Sequence, residues 1–267
     1  RLASRPSPVL RCGRFTLALA RPLIMGVVNV TPDSFSDGGR FFDPANDQKD
    51  AIAHAERLVE EGADIVDIGG ESSRPGAASV TAQAELARIM PVLDALRDAN
   101  LPVSIDTVKP EVMRAALDRG ASMINDINAL RAPGAAEIVA GSGAAVCLMH
   151  MQGNPGTMQR EPRYEDVVGE VRAYLTRRAA DAVSAGIDRE RIVVDPGFGF
   201  GKSVAHNLAL LHELAGLAAE GYPVMVGLSR KSLLGAITGR AAEERLPASI
   251  AATVLAVQRG ASIVRVH

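Results

Sequence analysis

The stretch IVVDPGFGFGKS, residues 192 to 203, decides the fold. Three β-branched residues run straight into Asp195, and glycines recur at 197, 199 and 201 before Lys202 and Ser203. The glycines resemble a phosphate cradle, but their spacing excludes one. A P-loop needs G-x-x-x-x-G-K-[ST], whose backbone N–H groups wrap the phosphates. Counted back from Gly201, its first glycine falls on Pro196, which has no N–H to donate. The dinucleotide pattern G-x-G-x-x-G fails as well, because the third glycine comes one residue early. What remains is an apolar strand that delivers a carboxylate at its C-terminal end, followed by a flexible turn.

The same pattern recurs along the chain. Short apolar, β-branched runs lie at 23–30, 64–70, 102–107, 122–127, 145–150, 191–197, 223–229 and 262–267. Bounded by Gly and Pro, they read as buried parallel strands. Helical periodicity fills the gaps. Val167, Val171, Tyr174, Leu175, Ala179 and Ala182 recur at three- and four-residue steps, and Gly186 follows. Leu86, Ile89, Met90, Leu93 and Leu96 form a second stripe, with Pro91 placed to bend it. A third helix opens at Pro110 and stops at Gly120. NLALLHELAGLAAEG and ERLPASIAATVLAVQRGA read as two more. Strands alternating with helices over this length predict an α/β fold, a (β/α)8 TIM barrel, with an open doubly wound sheet as the rival. VLRCGRFTLAL, before the first strand, is expected to form a short hairpin closing the barrel's bottom. There is no linker and no internal repeat, so residues 1–267 are expected to form one domain. The chain stops at His267, so no eighth helix is encoded in it; either a partner covers the last strand or the sequence was cut.

Composition narrows the function. The 267 residues are 47% hydrophobic, enough for a substantial core. The net charge of −2, with 3% aromatics and no Trp, argues against nucleic acid as a partner. No apolar run is long enough for a membrane span, and the basic start has no signal-peptide core. Cys12 and Cys147 have no metal-type spacing, and Cys147 reads as a buried thiol. A cytoplasmic protein is expected.

Polar residues gather where strands end: Asn29, Asp106, Asn125 and Asp195, with Ser229 to Lys231 after the seventh strand. Alternation along the last strand turns Ile263, Arg265 and His267 inward and leaves Val264 and Val266 to the helices. Each residue has a bland alternative. Asp106 can cap the next helix, Asn125 can satisfy a turn, Lys231 can be solvated, and His267 can be a mere chain end. Together, at the end where barrel enzymes place their chemistry, they predict one ligand-filled site. Asp106, Asp195 and Asn125 suit a flat heterocycle with an N–C–N edge. Arg265, His267 and Arg74 suggest a neighbouring anion such as diphosphate, and Asn29 offers Mg²⁺ a hard oxygen.

The chain resembles the dihydropteroate synthase family. The matching stretches are MGVVNVTPDSFSDGG (25–39), DIGGESSRPGA (67–77), SIDT (104–107), INDI (124–127), LMHMQGNPGTMQ (148–159), DPGFGFGK (195–202), GLSRKS (227–232) and RVH (265–267). The resemblance implies a barrel enzyme, a transferase of folate biosynthesis. It condenses a dihydropterin methyl diphosphate with 4-aminobenzoate, with Mg²⁺ as cofactor. It further implies that Asp106, Asn125, Met149, Asp195, Lys231 and Arg265 hold the pterin. Asn29, Ser73, Arg74, Arg265 and His267 serve the diphosphate, with Asn29 on the metal. Phe35, Ser73, Arg74, Pro75, Phe200, Lys231 and Ser232 form the aminobenzoate pocket, and the loops TPDSFSDGGRFFDPANDQ and ESSRPGAAS close over it. Asp106, Asp195, Lys231 and Arg265 carry the chemistry, by a dissociative, SN1-like displacement. The family likeness also implies a homodimer for the intact protein and sensitivity to sulfonamides. Rival readings are a pterin-binding methyltransferase serving a corrinoid protein, a Schiff-base aldolase using Lys231, and an inactive pterin-binding scaffold.

Overall fold

The structure is a computed structural model describing residues 9–31, 44–72, 79–153, 156, 158 and 161–267. Phe35, Ser73, Arg74 and Pro75 lie outside the described residues.

An antiparallel hairpin, β1 (Val9–Cys12) and β2 (Phe15–Ala18), comes first. The chain then alternates: β3 (Leu23–Asn29), α1 (Pro44–Glu60), β4 (Ile65–Gly69), α2 (Ala82–Ala95), β5 (Val103–Asp106), α3 (Pro110–Asp118), β6 (Met123–Asp126), α4 (Ala135–Ser142) and β7 (Ala145–Met149). It continues with α5 (Val167–Ser184), β8 (Ile192–Asp195), α6 (Val204–His212), α7 (Leu214–Ala218), β9 (Val224–Val226), α8 (Ser232–Thr238), α9 (Leu246–Gln258) and β10 (Ala261–Val266). Strands β3 to β10 pair in parallel in sequence order, and β10 closes on β3. This is the expected TIM barrel: seven predicted strand runs each contain one of its strands, and the eighth overlaps β10, which begins one residue earlier at Ala261.

The helices differ more. NLALLHELAGLAAEG is two helices, α6 and α7, meeting at Glu213. Helix α1 takes in residues 44–48, which the sequence assigns to a closing loop. Pro91 sits inside α2, where its missing N–H leaves the carbonyl of Ala87 without its helical donor. Gln48 of α1 supplies the replacement, donating its Nε2 to that carbonyl at 3.0 Å. Thr81 starts α2 by accepting from the N–H of Ala84.

Alternation divides the strand side chains between two cores. Val28, Ile68, Ile105, Ile124, Val194 and Val264 face outward into the helix layer. Leu23, Met25, Ile65, Met123, Cys147, Val193, Met225 and Ile263 face inward and pack on Leu10 and Cys12 of the hairpin. The hairpin therefore stoppers the barrel's lower end, as expected from its position before the first strand.

Candidate active site

One step further up each strand, the interior changes character. Above the layer of Met25, Ile65, Met123 and Val193, the inward positions hold Asp67, Asp106, Asn125, Asp195 and Arg265. Parallel register aligns Asn29, Gly69, Asp106 and Asn125 side by side across β3 to β6. Gly69 brings no side chain into this row. A Cβ there would lie in van der Waals contact, 3.6 Å from both Asn29 Oδ1 and Asp106 Cβ, so those two residues flank the glycine closely.

The layer is a connected network. Arg265 donates through Nε to Asp67 Oδ2 at 2.7 Å and through Nη2 to Asp106 Oδ2 at 2.9 Å. Asn125 donates Nδ2 to the same Asp67 oxygen at 3.1 Å. Asp195 accepts from the N–H of Gly197 at 2.7 Å. Lys231 donates to the carbonyl of Phe198, and its Nζ stands 4.8 Å from the centroid of the Phe200 ring. The bland alternatives fall away for two residues. Asp106 pairs with Arg265, and the N-cap of α3 is Lys109 without a side-chain capping bond. Asn125 bonds a carboxylate across the barrel instead of its own turn. Asp126 is structural, accepting from the N–H groups of Asn128 and Leu130, each at 2.7 Å.

Burial sets the electrostatics. It pushes Asp106 up to about 7, with Arg265 opposing and Asp67 adding to the rise. It also raises Asp195, against the pull of Lys231. It lowers Lys231 to about 8, with Asp195 opposing. Several charges this deep would each cost several kcal/mol without partners. Their mutual pairing and displaced titration mark a site shaped for a polar ligand.

The remaining expected residues that are described sit around this layer. Met149 is buried with Met151 and Met158, and half-buried Phe200 and Ile127 pack against them. Ser232 is exposed at the first turn of α8. His267 is exposed, with Nδ1 3.2 Å from Ser229 Oγ. A cavity of about 320 Å³ opens on the flank of Asp106 that faces Glu71, Glu85, Ile127, Arg131 and Met151. Lys109 bridges Glu71 and the fully buried Glu85, reaching the latter at 2.6 Å.

Two central residues are missing from the sequence reading. Asp67 is fully buried on the inward face of β4. Its signal was a charge in the middle of the apolar run IVDIGG, on the same face as Gly69. Lys202, read only as a failed P-loop lysine, is buried at the rim. Its Nζ reaches His150 Nδ1 at 3.0 Å and the carbonyls of His150, Gly197 and Phe200 at 3.2, 3.0 and 2.9 Å. The turn passes close: Gly197 has φ +70, and a Cβ on it would lie 2.0 Å from the His150 carbonyl oxygen.

Barrel and polar rim together define an enzyme of the pterin-binding class, and residues 25–267 match the family model described as "Pterin binding enzyme". The chain is 51% identical over 265 residues to dihydropteroate synthase of Neisseria meningitidis serogroup B, covering 97% of this chain and 92% of that one. The chain belongs to the dihydropteroate synthase family. A Xanthomonas albilineans dihydropteroate synthase with 4-aminobenzoic acid superposes with TM-score 0.90 at 52% identity, covering 98% of this chain and 93% of that chain. The same enzyme in complex with 7,8-dihydropteroate gives TM-score 0.87 at 50% identity, over 97% of this chain and 93% of that chain.

Proposed function

We propose that this chain condenses (7,8-dihydropterin-6-yl)methyl diphosphate with 4-aminobenzoate, giving 7,8-dihydropteroate and diphosphate. The observation that carries this reading is the convergence of Asp106, Asn125, Asp195, Lys231 and Arg265 on one rim layer, in a chain about half identical to enzymes of that activity.

The buried carboxylates and the amide oxygen of Asn125 accept from the N–H groups of the pterin. Met149 supplies an apolar wall. Phe200 and Lys231, with Ser232 beyond them, flank the place of the aminobenzoate ring. The bond between the pterin methylene and the diphosphate oxygen breaks, and the electron pair leaves with diphosphate. The pterin ring delocalises the resulting positive charge, and Asp106 and Asp195 stabilise it. The amine nitrogen then bonds to the methylene and loses a proton. Arg265 and His267 face the departing anion. A closed rim keeps water from intercepting the cation.

The residues present fit Mg²⁺. Asn29, next to Gly69, would hold it through a neutral hard oxygen. Bound there, the ion supplies positive charge against the leaving diphosphate.

The exposed apolar residues Leu246, Ile250 and Val254 recur at four-residue steps on α9, with Ile237 of α8 also exposed. This stripe supports a homodimer built on α8 and α9. Cytoplasmic action is consistent with Cys12 and Cys147, both unpaired and buried. Among the described residues, no helix is long and apolar enough to cross a membrane.

The test is diphosphate release assayed with each substrate omitted in turn and with Mg²⁺ withdrawn. Release that needs the pterin diphosphate and the metal, and that continues at full rate only with aminobenzoate present, is expected. Turnover without the pterin diphosphate, or none with all components present, overturns the reading.

A further inference from the structure

We infer that Asp67 is a positioning residue for the reaction: it dictates which end of the Asn125 amide faces the pterin and ties that amide to Arg265. The inference rests on the pterin reading of the site and deepens it.

Asp67 leaves the inward face of β4 one layer below the rim and is fully buried. Its Oδ2 accepts from both Asn125 Nδ2 at 3.1 Å and Arg265 Nε at 2.7 Å. A carboxylate paired with a guanidinium only accepts hydrogen bonds. The Asn125 amide must therefore turn its NH₂ end toward β4. The reversed amide would set an oxygen against an oxygen with no proton between them. With Nδ2 committed, Asn125 presents Oδ1 to the substrate, an acceptor that selects an N–H donor on the heterocycle. Both bonds converge on one oxygen, so a shift of Arg265 is felt by Asn125. Arg265 also donates Nη2 to Asp106, a bond separate from the one its Nε makes to Asp67.

The experiment uses the whole chain, with 6-hydroxymethyl-7,8-dihydropterin as the binding probe and steady-state kinetics alongside. Asp67→Asn nearly preserves shape while introducing a donor beside Asn125. Pterin affinity should fall about tenfold while the KM for aminobenzoate changes less than about twofold. If Asp67 acts through Asn125, then Asp67→Asn combined with Asn125→Ala should bind the pterin within about twofold of Asn125→Ala alone.

Asn125→Asp supplies a test that does not require Asp67 to be altered. The new carboxyl faces Asp67 and must carry a proton to donate to it. Pterin affinity of this variant should fall as pH rises from about 6 to 8, whereas the unaltered chain gains affinity as Asp106 ionises. Unchanged pterin affinity in Asp67→Asn, additive losses in the double variant, or an unaltered pH slope in Asn125→Asp would each overturn the inference. If the unaltered chain does not bind the pterin, the functional reading itself falls, a result distinct from these three.

Discussion

Lys202 donates its ammonium to His150 Nδ1 at 3.0 Å, joining the segment after β7 to the turn after β8. The same ammonium bonds the carbonyl of Phe200, the residue proposed to wall the aminobenzoate site. Lys202→Met should leave those carbonyls without a donor and cost ~2–4 kcal/mol of stability, measured by urea unfolding. It should also raise the KM for aminobenzoate about tenfold, with less effect on the pterin diphosphate. Equal effects on both substrates would show that the lysine serves folding alone.

The same pair makes stability depend on pH. Burial, aided by the charge of Lys202, lowers His150 to about 3 from its ordinary value of 6.5. Between those values the unfolded chain binds a proton at this histidine that the folded chain does not. Its contribution to stability is therefore complete above about 6.5 and is lost as pH falls toward 3. His150→Gln keeps an acceptor for Lys202 without a titrating ring. The difference in unfolding free energy between the two proteins should change with pH across that window, by on the order of 3 kcal/mol. A constant difference would refute the assignment.

Binding of the pterin substrate should follow a bell-shaped pH profile. Asp106, raised by burial to about 7, must be ionised to accept from the ring, so affinity rises through that region. Lys231, lowered by burial to about 8, loses its charge above it, so affinity falls again. Lys231→Arg should remove the alkaline limb, whatever it costs in absolute affinity. An alkaline limb that persists in this variant would reassign it to another group.

Asp106→Asn should slow diphosphate release in the absence of aminobenzoate, because the cationic pterin loses one of its two carboxylates. A drop of roughly 100-fold corresponds to about 3 kcal/mol of lost charge stabilisation. Release at the original rate would count against a cation-stabilising carboxylate at this position.

The apolar stripe of α9 makes a prediction about assembly. Ile250→Glu should convert a dimer to monomer in sedimentation, since a charge there would be buried without a partner. A dimer that survives this change uses another face.

The barrel was legible because its strands are buried on both faces. A parallel strand such as Ile192–Asp195 then reads as an unbroken β-branched run, which survives without any knowledge of its neighbours. Helix α1 carried no comparable signal, since its buried stripe rests on Ala51, Ala55 and Leu58 amid charged residues. Strand ends exposed Asp106, Asn125, Asp195 and Arg265 as a set, because a charge closing an apolar run stands out. Asp67 and Lys202 did not stand out. Asp67 lies mid-strand, where its inward aim is fixed only once β4 takes its register with β5. Lys202 acquires its role from the carbonyls that the turn folds around it.

Among the described residues, the hairpin stopper shuts the chamber at the barrel's foot. With Leu10 and Cys12 plugging that end, reactants and products of the proposed reaction would share the route at the strands' C-terminal end. In the proposed site, Asn125 and Asp195, assigned to the pterin, are buried, whereas Phe200 and Ser232, assigned to the aminobenzoate, are half-buried and exposed. An arrival out of turn would block the passage of the other reactant. Kinetics should therefore show a compulsory sequence, pterin diphosphate first, with the joined product leaving only after the upper tenant lifts away from the door.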